Sequence, residues 1–162
     1  MLEKGDLVSV VIPAYNTEKY IKPMIESLKA QSYQNLQIIF VDDGSCDGTA
    51  EIIKEYQSED HRVEYYYQKN QGVSIARNNG LKRVKGKKLF FFDSDDTFEN
   101  DLIESCVNFA IAQSVDAVLY GYADKVLGKK ENEHVFELHG SFRDDQIAKE
   151  VIPSFLGHSY ED

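Results

Sequence analysis

Leu7-Val8-Ser9-Val10-Val11-Ile12-Pro13-Ala14-Tyr15-Asn16 is the stretch on which the fold turns. Residues 7–12 form a short apolar, mostly β-branched run, the pattern of a strand buried on both faces of a sheet. Pro13 ends the run and Tyr15-Asn16 opens a polar segment, so the strand delivers its polar residues at its carboxyl end. After an Asn16-Thr17 cap signal, Tyr20, Ile21, Met24, Ile25 and Leu28 recur at helical spacing up to about Gln31. Pro23 falls in the first turns of that helix, where a missing N–H matters least.

The same alternation continues outward. Strands are expected over 36–41, 63–67, 88–92 and 117–120, and helices over 50–56, 73–84 and 102–112. Strand alternating with helix predicts an α/β fold with a mostly parallel, doubly wound central sheet flanked by helices. Past Gly121 the pattern weakens. Residues 135–138 read as an edge strand, and 144–155 as a helix interrupted by Pro153.

With 162 residues, 42% of them hydrophobic, the chain can bury one good core, and a single domain is expected over 1–162. The formal net charge of −10 repels phosphate backbones, which argues against nucleic acid as a partner. No stretch approaches the ~18 apolar residues of a membrane span, and residues 1–6 hold no signal-peptide core, so the expected location is the cytoplasm. Cys46 and Cys106 lack metal-ligand or disulfide-framework spacing, and the four histidines lack mutual ligand spacing. Lys82, Arg83, Lys85, Lys87 and Lys88 are expected to be a solvated helix end, with an anion- or membrane-touching patch as the alternative.

In open α/β sheets ligands collect beyond the carboxyl ends of the strands, near the switch in strand order. Three exits carry polar cargo there: Pro13-Ala14-Tyr15-Asn16, Asp42-Asp43-Gly44-Ser45 and Asp93-Ser94-Asp95-Asp96. The last sets three carboxylates within four residues. Two unit charges ~4 Å apart repel by about 4 kcal/mol at an effective dielectric of about 20, which a divalent cation reverses. Oxygen-only ligands suit Mg²⁺ or Mn²⁺, commonly shared between one or two carboxylates and substrate phosphates. The plainer alternative is an acidic turn capping the next helix. Asp42-Asp43 is read either as a ligand contact, accepting from a base N–H or a ribose hydroxyl, or as part of an Asp-Gly turn. Tyr15 either stacks on a base or covers the core rim, and Arg77 either reaches a diphosphate or pairs with an aspartate at the rim.

Taken in order, Val8-Ser9-Val10-Val11-Ile12-Pro13-Ala14-Tyr15-Asn16, Val41-Asp42-Asp43-Gly44-Ser45, Gly72-Val73-Ser74-Ile75-Ala76-Arg77-Asn78 and Phe92-Asp93-Ser94-Asp95-Asp96 resemble the motifs of glycosyltransferase family 2. The resemblance covers residues 7–105 well and the remainder loosely. It implies the A-type, Rossmann-like nucleotide-diphospho-sugar transferase fold. It also implies inverting transfer of a sugar, most often from a UDP-sugar, to a hydroxyl of a glycan or lipid-linked acceptor, as in bacterial surface polysaccharide assembly. By position, Pro13, Ala14, Tyr15, Asn16, Asp42, Asp43, Arg77, Asp93, Ser94 and Asp95 fall where the family holds the nucleotide sugar. Asp93, Asp95 and Asp96 fall on its metal motif, for Mn²⁺ or Mg²⁺.

Inversion also needs a carboxylate base, which the family carries in a later Glu-Asp pair. Here Glu161-Asp162 matches those letters, making Asp162 the candidate. A terminal residue is rarely rigid enough to position a proton transfer, so the true base is expected beyond residue 162. Residues 106–162 then begin an incomplete acceptor-side region, and membrane association would come through further sequence at the inner face. Two alternatives stand beside this reading. One is a non-catalytic nucleotide-sugar or metal-binding module. The other is a sugar nucleotidyltransferase, whose Gly-rich start and basic residue Pro13-Ala14-Tyr15-Asn16 does not offer.

Overall fold

The computed structural model describes residue 3 and residues 5–118, 120–126 and 129–134. The chain divides into two compact units, 1–112 and 113–162. The first contains β1 (Val8–Ala14), α1 (Ile21–Lys29), β2 (Leu36–Asp42), α2 (Thr49–Glu59), β3 (Val63–Tyr67), α3 (Val73–Leu81) and β4 (Lys88–Phe91), with α4 (Leu102–Gln113) at its end. The sheet runs β3-β2-β1-β4 and every neighbouring pair is parallel. The mostly parallel α/β fold expected from the alternation is therefore present.

Every residue of β1 and β2 is buried, because both faces of these central strands are covered. Side-chain alternation separates the two layers. Val11, Ile39 and Val41 pack with Ala76 of α3 on one face. Phe40, of opposite parity to Ile39 and Val41, meets Tyr56 of α2 edge-on with ring centroids 6.3 Å apart. Gly80 lets α3 approach closely: a Cβ there would stand 2.4 Å from Val11 Cγ1 and 3.3 Å from Val41 Cγ2.

Most boundaries expected from the sequence are met within a few residues, with two differences near the site. β1 continues through Pro13 to Ala14, and α3 stops at Leu81 instead of reaching Val84. Pro13 is tolerated in a central strand because of where its missing donor would point. Val8 N and Ala14 O bond toward the β2 side, to Asn35 O and Asp43 N, while Val11 O accepts from Phe92 N beyond β4. Alternation therefore aims the position of the absent Pro13 N–H at the β4 side, where the β1–β4 ladder has run out.

In the second unit, β5 (Tyr122–Val126) and β6 (Lys129–His134) pair antiparallel, with an irregularity at Asp124/Lys125. The strand expected over 117–120 is not found: Ala117, Val118 and Tyr120 lie outside any strand, and β5 begins two residues later. A four-residue apolar run fits strand, turn and helix end alike, so periodicity could not settle it. The strand expected over 135–138 and the helix over 144–155 lie outside the described residues.

Candidate functional site

The strand order places the switch between β1 and β4, and the carboxyl ends of all four strands share one rim. A cleft of about 510 Å³ opens there, and its walls include Pro13 and Ala14 from β1, Tyr15 beyond it, Asp43 beyond β2, Arg77 from α3, and Asp93, Ser94 and Asp95 beyond β4. Three separate strand exits and one helix thus meet at one cavity. Pro13 helps to shape it, since a residue without an N–H cannot extend the β1–β4 ladder past Phe92 and the two chains part.

Asn16 and Asp42 do not line the cleft. Asn16, held in the left-handed region at φ 52, ties the β1 and β2 exits together: its N–H donates to Ser45 Oγ (3.0 Å) and its Oδ1 accepts from Cys46 N (2.8 Å). Asp42 is fully buried and accepts from Ser45 N (2.8 Å) and Tyr65 OH (2.7 Å). Burial first, and then the bond to this carboxylate, push the Tyr65 hydroxyl well above its usual pKa. Asp43 does line the cleft, yet its oxygens already accept from Gln68 Nε2 (2.7 Å), Gln71 N (2.8 Å) and Gly72 N (2.8 Å). Those bonds pin the loop before α3. Gly72 caps that helix at φ 91, a conformation glycine adopts without strain.

Arg77 donates from NH2 to Asp93 Oδ1 at 2.5 Å, the rim pairing that the sequence left open against a diphosphate contact. Among the described residues its Nε is buried with no partner, as is the hydroxyl of Thr17, another cleft residue. Asp93, Asp95 and Asp96 are all exposed on their loop. Asp96 does not line the cleft; partial desolvation first, and then the charges of Asp95 and Asp93, hold its carboxyl above the usual range. Tyr15 is half exposed at the cleft wall.

Among the described residues no group of three or more His, Cys, Asp or Glu converges to hold a metal, so the three loop aspartates do not form a closed cage. The donor set nevertheless fits a hard divalent ion. Asp93 and Asp95 present carboxylates at the cleft, and such an ion ordinarily completes its shell with phosphate oxygens and water. Asp162, the candidate base, lies outside the described residues.

Thr17, Asn70, Gly72 and Val73 also line the cleft, although the sequence reading named none of them as a site residue and quoted Gly72 and Val73 only as part of a motif. Asn70 and Gly72 follow β3, a fourth strand exit to which the same rule applies. Gly44, at φ 80, brings the Asp42-Asp43 turn so close that a Cβ there would lie 2.8 Å from Asn70 N.

A larger cavity, about 650 Å³, lies at the opposite, amino-terminal rim of the sheet beside Leu7, Asn35, His61, Arg62 and Lys85. Its charges answer one another: Arg62 pairs with Asp60 at 2.7 Å and Lys85 with Glu64 at 2.7 Å. The basic cluster is satisfied within the protein in the same way, for Lys87 and Lys88 meet Asp6 and Arg83 stacks 4.0 Å over the Tyr66 ring. Cys46 is exposed and Cys106 buried, both free thiols. No helix among the described residues is long and apolar enough to cross a membrane.

The model of glycosyl transferase family 2 matches residues 9–159. Glycosyltransferase GlyA of Streptococcus pneumoniae is 37% identical over 134 residues, covering 83% of this chain and 19% of GlyA. Glycosyltransferase GlyG of the same organism is 38% identical over 119 residues, 73% of this chain and 40% of GlyG. Among solved structures, S. aureus TarS in complex with UDP-GlcNAc superposes with TM-score 0.64 at 30% identity, covering 67% of this chain and 32% of that one. A mannosyltransferase from Pyrobaculum calidifontis, solved with GDP-Man and Mn²⁺, shares the fold with TM-score 0.62 at 22% identity, covering 67% of this chain and 33% of that one. The chain therefore spans well under half the length of each of these relatives. Its parallel sheet is the A-type glycosyltransferase fold, its four motifs meet where that fold opens, and the chain belongs to glycosyltransferase family 2.

Proposed function

We propose that this chain is the donor-binding part of an inverting glycosyltransferase, holding a nucleotide-diphospho-sugar, a UDP-sugar by preference, in the cleft between β1 and β4. The observation that carries the reading is the convergence of four strand exits and Arg77 on one cavity of about 510 Å³, with carboxylates and an aromatic ring among its walls. The likeness to TarS, solved with UDP-GlcNAc at 30% identity, supports uridine as the base.

Each residue then has a task that its chemistry fits. Tyr15 offers a half-exposed ring for stacking on the base. Asp43 has three of about four acceptor positions filled, so its main task is to hold the loop after β3 in place; the fourth remains for a base or ribose donor. Arg77 supplies a guanidinium whose planar fork suits phosphate oxygens. Asp93 and Asp95 would hold Mn²⁺ or Mg²⁺ against the diphosphate. When bound, that ion supplies electrostatic stabilisation of the charge that grows on the departing nucleotide.

On this reading the acceptor is a glycan or lipid-linked hydroxyl, the setting is cell-surface polysaccharide or glycan assembly, and the work is done in the cytoplasm at the inner face of the membrane. The base that takes the acceptor proton is Asp162 or another carboxylate. Calorimetric titration of UDP with and without Mn²⁺, beside an Asp95→Ala variant, tests the donor site. Binding that requires metal and is lost in the variant is expected; absence of binding to the folded chain in either condition removes the uridine assignment.

A further inference from the structure

Arginine carries five N–H donors in a fixed fork, and among the described residues only NH2 of Arg77 is engaged, by Asp93 Oδ1 at 2.5 Å. Its Nε is buried without a partner among the described residues, an unfavourable state for a hydrogen-bond donor. The same pose leaves the acidic loop unevenly neutralised. Asp93 has a cation beside it, whereas the Asp95 and Asp96 carboxylates accept no hydrogen bond and pair with no cation among the described residues, and they repel one another. Arg77 and Asp93 both line the cleft, so their ion pair forms at the wall of the cavity assigned to the donor.

We propose that Arg77 is the resident counter-ion of the acidic loop: it neutralises Asp93 in the free chain, competes with a divalent cation for that carboxylate, and is handed to the diphosphate when cation and nucleotide arrive together. The second half rests on the donor-site reading, and the first half is a property of the free protein. Charge bookkeeping gives the consequence. A cation arriving alone must displace Arg77 from Asp93 with no other anion to receive it. A diphosphate arriving alone must draw Arg77 away and leave three aspartates uncompensated. Arriving together, each supplies the partner that the other displaces, so the two ligands bind with positive coupling, and that coupling is reciprocal.

The test measures Mn²⁺ alone on the free chain, by electron paramagnetic resonance of the unbound ion, for the parent, Arg77→Gln and Arg77→Lys. Loss of one exposed ion-pair competitor corresponds to roughly two- to fivefold tighter Mn²⁺ binding in Arg77→Gln, while Arg77→Lys, which keeps the charge, stays near the parent. The ratio of UDP affinities with and without Mn²⁺ should shrink in Arg77→Gln. Mn²⁺ binding that is unchanged or weaker in folded Arg77→Gln overturns the proposal. If Arg77→Gln does not fold, Arg77→Met carries the same expectation. If UDP fails to bind the parent at all, the donor-site reading falls, but the Mn²⁺ comparison still decides whether Arg77 competes for Asp93.

Discussion

Gly80→Ala should loosen α3 from the sheet and, through it, the site. The added Cβ would lie 2.4 Å from Val11 Cγ1, closer than any real contact, and 3.3 Å from Val41 Cγ2. Neither neighbour can turn aside. Both are β-branched valines, each at most 1% exposed, in strands buried on both faces. Overpacking of this kind costs about 1–3 kcal/mol, and the upper end applies because the neighbour is stiff. Replacing glycine by alanine inside a helix returns roughly 0.5–1 kcal/mol of backbone entropy. The net is about 2 kcal/mol of destabilisation. At about 2–4 °C per kcal/mol for a chain of this size, Tm falls by roughly 4–8 °C. Thermal unfolding followed by circular dichroism measures it, and the double variant Val11→Ala/Gly80→Ala should lose less than the sum of the single losses. A Tm that rises, as helix propensity alone requires, or losses that simply add, would refute the steric argument.

Asp43→Ala removes the acceptor for Gln68, Gln71 and Gly72. We expect a loss of about 2 kcal/mol in urea unfolding, since the loop donors can partly rehydrate, together with faster amide exchange at Gln71 and Gly72; unchanged exchange there would contradict the clamp. The Asp6 carboxyl is held at about 2, first by the Glu3 N–H and then by Lys88 and Lys87, against the opposing effect of burial. A depressed carboxyl stabilises the fold above its ordinary value near 3.8 and ceases to do so as pH falls toward about 2. Tm should therefore drop between about pH 4 and pH 2 in the parent and vary less in Asp6→Asn, and parallel curves would count against this role.

The sheet was legible because its central strands are fully buried: the run 7–12 and the segment 36–41 carry apolar residues on both faces, and no other element type of that length does so as readily. The site was legible for a related reason. Polar residues directly after such strands have one rim to occupy, and the cleft gathers residues from all three quoted exits. What sequence could not separate was lining from bracing. Asp42 and Asp43 are adjacent letters, yet strand alternation turns the first into the core toward Tyr65 and leaves the second at the cleft wall. Asn16 likewise braces two loops through a left-handed backbone that no local pattern announces. Thr17 reads in the sequence only as part of a helix-cap signal, and Asn70 lies in the polar run 68–71 with no charge pairing or periodicity to single it out. In the second unit, Lys-Lys-Glu-Asn-Glu-His forms β6 without any apolar alternation, so periodicity gave no sign of the β5–β6 pair.

The central claim is that the donor occupies the carboxyl-end cleft and not the larger cavity at the opposite rim. Amide chemical shifts of the isotope-labelled chain, titrated with UDP and the diamagnetic ion Mg²⁺, test it most directly. The account predicts that the largest changes fall on Tyr15, Thr17, Asn70, Gly72, Arg77 and Ser94, with Asn35, His61, Arg62 and Lys85 still; changes centred on the latter group would place the ligand in the other cavity and contradict the account.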